Sequence, residues 1–311
     1  MTVTSLRRRP DQAGVSHPRP DPAALQLSLA RWNKRRLSPG KPSADWREVL
    51  EDDARMLVLE GEWIEGFRAE IADQAAEAPR DPDAFVGWFE TLKQTGPGQG
   101  DPLFPWLAKD ASLEEMRWFL EQEAAGEAGF DDLVALAQVK VEPAQAKLEL
   151  AGNYWDEMGR GNLLGMHGPM LGRLVEALQL RPTVDGTVWQ SLALANCMTA
   201  FAATRRYAYH AIGALGVVEL TAPDRSAATA AGLKRLGVEP KVRKYFDLHA
   251  VLDVKHSETW NALCFKPLVA ADPDCAQYLA EGALMRLTCG ARCFDAYREQ
   301  LWTRRPILAA E

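Results

Sequence analysis

The sequence predicts an all-α protein. Apolar residues recur at helical spacing through most of the chain after residue 45. No alternating apolar and polar stretch is long enough to build a sheet, and glycine, proline and capping signals cut the periodic segments into helices joined by short loops. Such a chain packs helices around a shared interior.

Residues 1–45 read as a basic, proline-rich arm and are expected to be disordered. Trp46–Ala75 is a long helix, with Val49, Leu50, Met56, Leu57, Leu59, Trp63, Ile64, Phe67 and Ile71 at helical spacing. A shorter helix covers residues 83–93. Residues 95–102, rich in glycine and proline, form a loop that continues through Phe104, Pro105 and Trp106. Ser112 followed by Glu115 is a capping box, opening a helix that reaches about residue 139. After Glu142-Pro143 a helix runs towards residue 180, disturbed at Gly159, Gly161, Gly168 and Pro169. A turn at 181–186 leads to a long apolar helix over about 188–220, which is expected to end before Pro223. Residues 227–236 form a short helix stopped by Gly237, 240–269 another helical segment, and a last helix starts at Asp272-Pro273 and reaches about Trp302. The tail 304–311 is expected to be loose.

With 311 residues, 47% hydrophobic and 25% charged, the chain has ample material for a core and the composition of a soluble protein. No apolar run is long enough to span a bilayer, and the basic N-terminus is not followed by an apolar segment, so a membrane partner is not expected and the cytoplasm is the expected location. The net charge is −7, but residues 1–42 hold nine Lys/Arg against two Asp, leaving −14 on the rest. An acidic body argues against nucleic acid as a partner. Five scattered cysteines, Cys197, Cys264, Cys275, Cys289 and Cys293, do not describe a disulfide framework and read as buried thiols. Ten tryptophans suit either a core or an interface, and the oligomeric state is not readable.

The segment His249–His256 concentrates chemistry. His249, Asp253 and His256 fall at i, i+4 and i+7, on one stripe of a helix, and imidazole with carboxylate suits iron, manganese or zinc. A solvent-facing polar stripe, with Val251, Leu252 and Val254 as the buried side, is the competing reading. Glu219 follows the uncharged run Ala211–Val218, so it is either paired with a cation or sits at a helix end in water. Glu157 and His167 stand ten positions apart, too far around a straight helix to share a face, but the intervening glycines make a straight helix doubtful. Glu123 and Glu127 share a face of the helix after Ser112, and Glu121 points elsewhere.

Taken in order, the glutamate-rich helix, Glu157 with His167, Glu219, and His249 with Asp253 and His256 resemble the haem-oxygenase-like diiron oxidases, also described as iron-containing redox enzymes. The stretch Tyr154-Trp155-Asp156-Glu157-Met158-Gly159, and His210 followed by Gly213, look like that family as well. The resemblance covers about residues 112–300. It implies a haem-oxygenase-like helical bundle without haem, over 112–303, with residues 46–111 as a helical extension packed on the core. It also implies two iron ions held by Glu123, Glu157, His167, Glu219, His249, Asp253 and His256, with Glu127 as the substitute for Glu123. A ferritin-type site would need two Glu-x-x-His motifs, and the chain has none.

The activity so implied is O2-dependent oxidation or oxygenation of a small amine, amino acid or carboxylic acid, with two Fe(II) as cofactor, O2 as co-substrate and an external electron donor as an optional partner. Tyr154, Tyr245 and His210 are candidates for orienting the ligands. The alternative is a helical binding or scaffold protein that keeps the fold without a working metal site.

Overall fold

The computed structural model describes residues 21–126 and 129–303, and among them the chain is entirely helix and connection, with no strand. Helix α1 is Pro22–Leu37, capped by Asp21, whose Oδ2 accepts from the Ala24 amide at 3.0 Å. Next come α2 (Trp46–Ala75), α3 (Pro82–Thr95), α4 (Leu103–Lys109), α5 (Leu113–Gly126) and α6 (Phe130–Ala137). Then follow α7 (Ala144–Glu157), α8 (His167–Ala177), α9 (Trp189–Ala203) and α10 (Ala208–Arg235). The chain closes with α11 (Pro240–Thr259), a π-helical turn Trp260–Phe265, α12 (Lys266–Ala271) and α13 (Cys275–Thr303). The expected helix from 46 to 75 is found with those bounds. The Ser112 capping box is formed: Glu115 accepts from the Ser112 amide at 2.7 Å and Ser112 Oγ from the Glu115 amide at 3.2 Å.

Four expectations need correction. Residues 22–37 are not a disordered arm. They form α1, which lies on α9 and buries Leu29 and Trp32. Its docking is largely polar, which hydropathy does not register. Asn33 Nδ2 donates to Asn196 Oδ1 at 3.0 Å, Asn196 Nδ2 donates to Gln26 Oε1 at 2.9 Å, and Arg36 pairs with buried Glu60 at 2.8 Å. Residues 1–20 and the tail 304–311 lie outside the described residues. Phe104, Pro105 and Trp106 are helical, because Leu103, Phe104 and Leu107 of α4 plug an apolar cluster. The helix expected to run on from Ser112 to about 139 is interrupted: α5 is described as far as Gly126, and α6 begins after Gly129, whose φ of +73° suits glycine. Finally, the helix expected over 188–220 breaks at residues 204–207 and resumes as α10, which continues through Pro223 to Arg235. Pro223 deprives the Glu219 carbonyl of its helical partner, a cost of about 3 kcal/mol in an isolated helix. Burial of α10 against α4, α9, α11 and α13 outweighs it.

Helix α10 is the spine. It meets α13 backbone to backbone: a Cβ on Gly213 would lie 1.9 Å from the Leu279 carbonyl oxygen, and one on Gly282 would lie 2.0 Å from that of His210. Only glycine permits that approach. Two apolar clusters flank the spine. One gathers residues from α2, α3, α6, α7, α9, α12 and the first half of α13, and the other gathers α4, α5, α8 and the end of α13. The candidate site opens where they meet.

Candidate metal centre

Each helix delivers its ligands for a local reason. Glu157 is the last residue of α7 and is buried. Gly159, at φ +60°, then folds the chain so tightly that a Cβ there would sit 2.3 Å from the Gly165 carbonyl carbon. This fold returns His167, the first residue of α8, to Glu157, with Nδ1 2.6 Å from Oε2. Pro169 falls in the first turn of α8, where its missing N–H is not needed. Glu219 lies in the middle of α10, 2% exposed, which excludes the reading that it ends a helix in water.

On α11 the polar stripe faces inward. Asp253 and His256 are buried and His249 half-buried, while Val251 and Val254 are exposed. The solvent-facing reading of this stripe is therefore inverted. The π-helical turn begins four residues after His256.

Five side chains converge, and Asp253 stands beside them in the cavity wall, outside both groups. Ligand-capable atoms of Glu157, His167 and His249 lie within 4.8 Å of one another, and those of Glu157, Glu219 and His256 do the same. Glu157 belongs to both groups. The close His167–Glu157 contact is not aligned as a hydrogen bond, so His167 Nδ1 is left without a partner, as is Asp253 Oδ1. Atoms that crowd one point without bonding each other are placed as ligands of a common cation would be.

The electrostatics point the same way. Burial, then the nearby Glu219 and Glu157, push the Asp253 carboxyl up to about 10. Burial also raises Glu157, against the pull of His167. His249 is pushed down to about 4 by burial and by the neighbouring His167, with which its ring makes an edge contact at 4.6 Å. His256 moves the other way, to about 9: burial would lower it, but Glu219 and Asp156 outweigh that. Buried carboxylates with too little positive charge among them hold protons unless a cation takes their place. Three carboxylates and three imidazoles fit iron by donor chemistry.

Hydrogen bonds also orient the imidazole rings. His249 Nδ1 donates to the Tyr245 carbonyl at 2.6 Å, leaving Nε2 for a metal. His256 Nε2 bonds Asp156 Oδ2 at 3.1 Å, while its Nδ1 meets Asn153 Nδ2 at 3.2 Å and faces Glu219 Oε2, 3.3 Å away. Asn153 Nδ2 steadies Glu219 Oε1 at 2.7 Å. Asp156 and Asn153 were not among the sequence candidates for this work. Their positions, beside Glu157 and one helical turn before it, were the available signal.

The other candidates distribute as follows. Glu123 on α5 lines the same cavity but stands outside the two groups, its Oε1 accepting from Tyr297 Oη at 2.9 Å. Glu127 lies outside the described residues. Glu121 accepts from the Arg181 amide at 3.0 Å, away from the centre. Tyr245 lies tilted against His249, ring centres 4.3 Å apart, and Tyr154 packs on the core. His210 belongs elsewhere, bonded to Glu281 at 2.8 Å.

A cavity of about 160 Å³ reaches the cluster, with Glu157, Glu219, His249 and Asp253 in its wall. Phe104, Phe119, Leu171, Phe246 and Phe294 make most of the rest apolar. Among the described residues no helix is long and apolar enough to cross a membrane. No curated protein matches the chain significantly in sequence. The profile of the iron-containing redox enzymes matches residues 117–291, more than half the chain, and spans the five converging residues and Asp253. With its haem-oxygenase-like, all-helical fold, this chain belongs to the iron-containing redox enzyme family and is an oxidoreductase.

Proposed function

We propose that the protein is a non-haem diiron oxidase or oxygenase that uses O2 to oxidise a small organic substrate. The observation that carries this reading is the sharing of Glu157 between two ligand groups, the arrangement expected of a carboxylate placed between two cations. Glu157, His167 and His249 would hold one iron, and Glu157, Glu219 and His256 the other, with Asp253 and Glu123 as further carboxylate donors from the cavity wall. When bound, the irons supply the redox chemistry with O2.

The chain's own part is positional. Tyr245 and Asp156 fix the two imidazoles in the tautomers that present Nε2 of His249 and Nδ1 of His256. Asn153 holds Glu219 in register. The apolar cavity wall excludes water from the place where substrate meets the centre. An external electron donor and a cytoplasmic setting belong to this reading as well.

The test is metal stoichiometry joined to O2 uptake. Anaerobic loading with Fe(II) is expected to leave about two irons per chain, and the loaded protein, not the stripped one, is expected to consume O2. One iron per chain at saturation, or none, would overturn the two-metal reading.

A further inference from the structure

The same cavity holds two arginines that the metal chemistry does not use. Arg225 projects from α10 and Arg286 from α13. Arg225 gives one N–H to Thr221 Oγ1 at 2.6 Å and lies 5.6 Å from the Phe294 ring centre. Arg286 Nη1 is sealed from solvent and has no hydrogen-bond partner. Among the described residues neither guanidinium forms an ion pair within 4.0 Å. Glu123 is the carboxylate both act on, yet its Oε1 is held by Tyr297, and burial raises it in spite of them. The two cations thus share one carboxylate, Glu123, with Asp224 acting on Arg225 alone. Burial, and then Arg286, draw Arg225 down to about 9, a sign of positive charge short of counter-charge.

We propose that Arg225 and Arg286 form the anion subsite of this cavity, where a small organic carboxylate is anchored with its other end directed at the metal centre. This rests on the diiron reading for which end reacts, though not for the subsite itself. Paired guanidinium forks match a carboxylate in shape as well as charge. Glu219 and Arg225 stand six residues apart on α10, about 9 Å of helix rise, and Ala222 and Ser226 line the wall between and beside them. The apolar rings flank the path from one end to the other. A cavity of this volume accepts a body about the size of benzene. The substrate class is thereby narrowed to a compact acid with an apolar middle, held at its carboxylate and oxidised at the far end.

Benzoate, benzamide and benzylammonium are suitable probes, titrated calorimetrically into the Fe(II)-loaded protein without O2. Benzoate is expected to bind about tenfold or more tightly than the two others. Arg286→Met and Arg225→Met should each remove that preference, and Arg286→Lys should keep part of it. In the metal-stripped protein the preference should persist. Equal binding of benzoate and benzamide by the unmodified protein would overturn the proposal, and that arm needs no variant to fold. So would a preference that survives both methionine substitutions and vanishes with the metal, since the carboxylate would then sit on iron. A protein that takes up no iron but still prefers benzoate through its arginines would sink the diiron reading and leave the subsite standing.

Discussion

Two buried clusters of histidine and carboxylate sit on opposite sides of α10, and they differ in how their polar atoms are satisfied. Around Glu281 both carboxylate oxygens are taken: Oε2 by His210 at 2.8 Å and Arg68 at 2.6 Å, Oε1 by Gln277 at 3.2 Å. Burial lowers His210 more than its bond to Glu281 raises it, so this ring is neutral and Arg68 supplies the balancing charge. Only the His210 Nδ1 lone pair goes unused. Around Glu157, Glu219 and three imidazoles gather in two groups with Asp253 in the same cavity wall, and Asp253 Oδ1 and His167 Nδ1 have no hydrogen-bond partner. A closed network of this kind ties helices together. An open one carries a cost that a bound group would relieve, and binding is where such a deficit has a use.

The largest effect should come from removing the shared ligand. Glu157→Ala is expected to abolish loading of both irons, whereas His249→Ala, which touches one group, should leave part of the iron; elemental analysis after anaerobic loading separates them. Equal loss in the two would blur the distinction between a shared and an unshared ligand.

Next is the closed cluster. Glu281→Gln leaves half-buried Arg68 with Glu65 alone and should lower unfolding stability by about 2 kcal/mol, read by denaturant melts of the stripped protein. Burial alone would raise Glu281, but His210 and Arg68 hold it below its ordinary value of 4.5. A carboxyl depressed in the folded state contributes stability that is complete above its unfolded value and is lost as pH falls through the folded one. The gap between wild type and Glu281→Gln should thus be flat from pH 8 to 5 and shrink below 4.5. A gap that widens in acid would show that the charge assignment is wrong.

A smaller effect is expected of Asp156→Asn. It keeps the shape but weakens the grip on His256 Nε2, and iron affinity should fall about tenfold with the fold unchanged. The smallest and most diagnostic change has the opposite sign. Asp253→Asn removes a buried carboxyl that has an unsatisfied oxygen, and should stabilise the stripped protein by about 1 kcal/mol while impairing iron loading. Destabilisation there would mean that Asp253 is structural, like Glu281.

Much of this was legible in the sequence, because it follows from periodicity. The α11 stripe needed only the 3.6-residue repeat, and the resemblance supplied the order of its partners. Which face of that stripe was buried could not be read, since Val251 and Val254 are as apolar as core residues and yet lie outside. The ten-residue gap from Glu157 to His167 closes through a left-handed Gly159, which composition hints at but does not place. The depth of Glu219 was hidden by Pro223, because local propensity stops a helix where tertiary burial carries it on. Helix α1 was missed for a related reason: its anchors Gln26 and Asn33 count as surface residues until Asn196, far along the chain, receives them. Nothing in the sequence singles out Arg225 and Arg286, and only the fold shows them in one wall.

The glycine crossing of α10 and α13 has a mechanical consequence. With backbone resting on backbone at Gly213 and Gly282, no layer of side chains remains to slide or compress. The two helices behave as a riveted frame, and Glu219, Arg225 and Arg286 ride on it at fixed separations. The length between the anion end and the metal end of the cavity is therefore set by this frame, and its other walls, from α4 to α9 and from α11, set only the width.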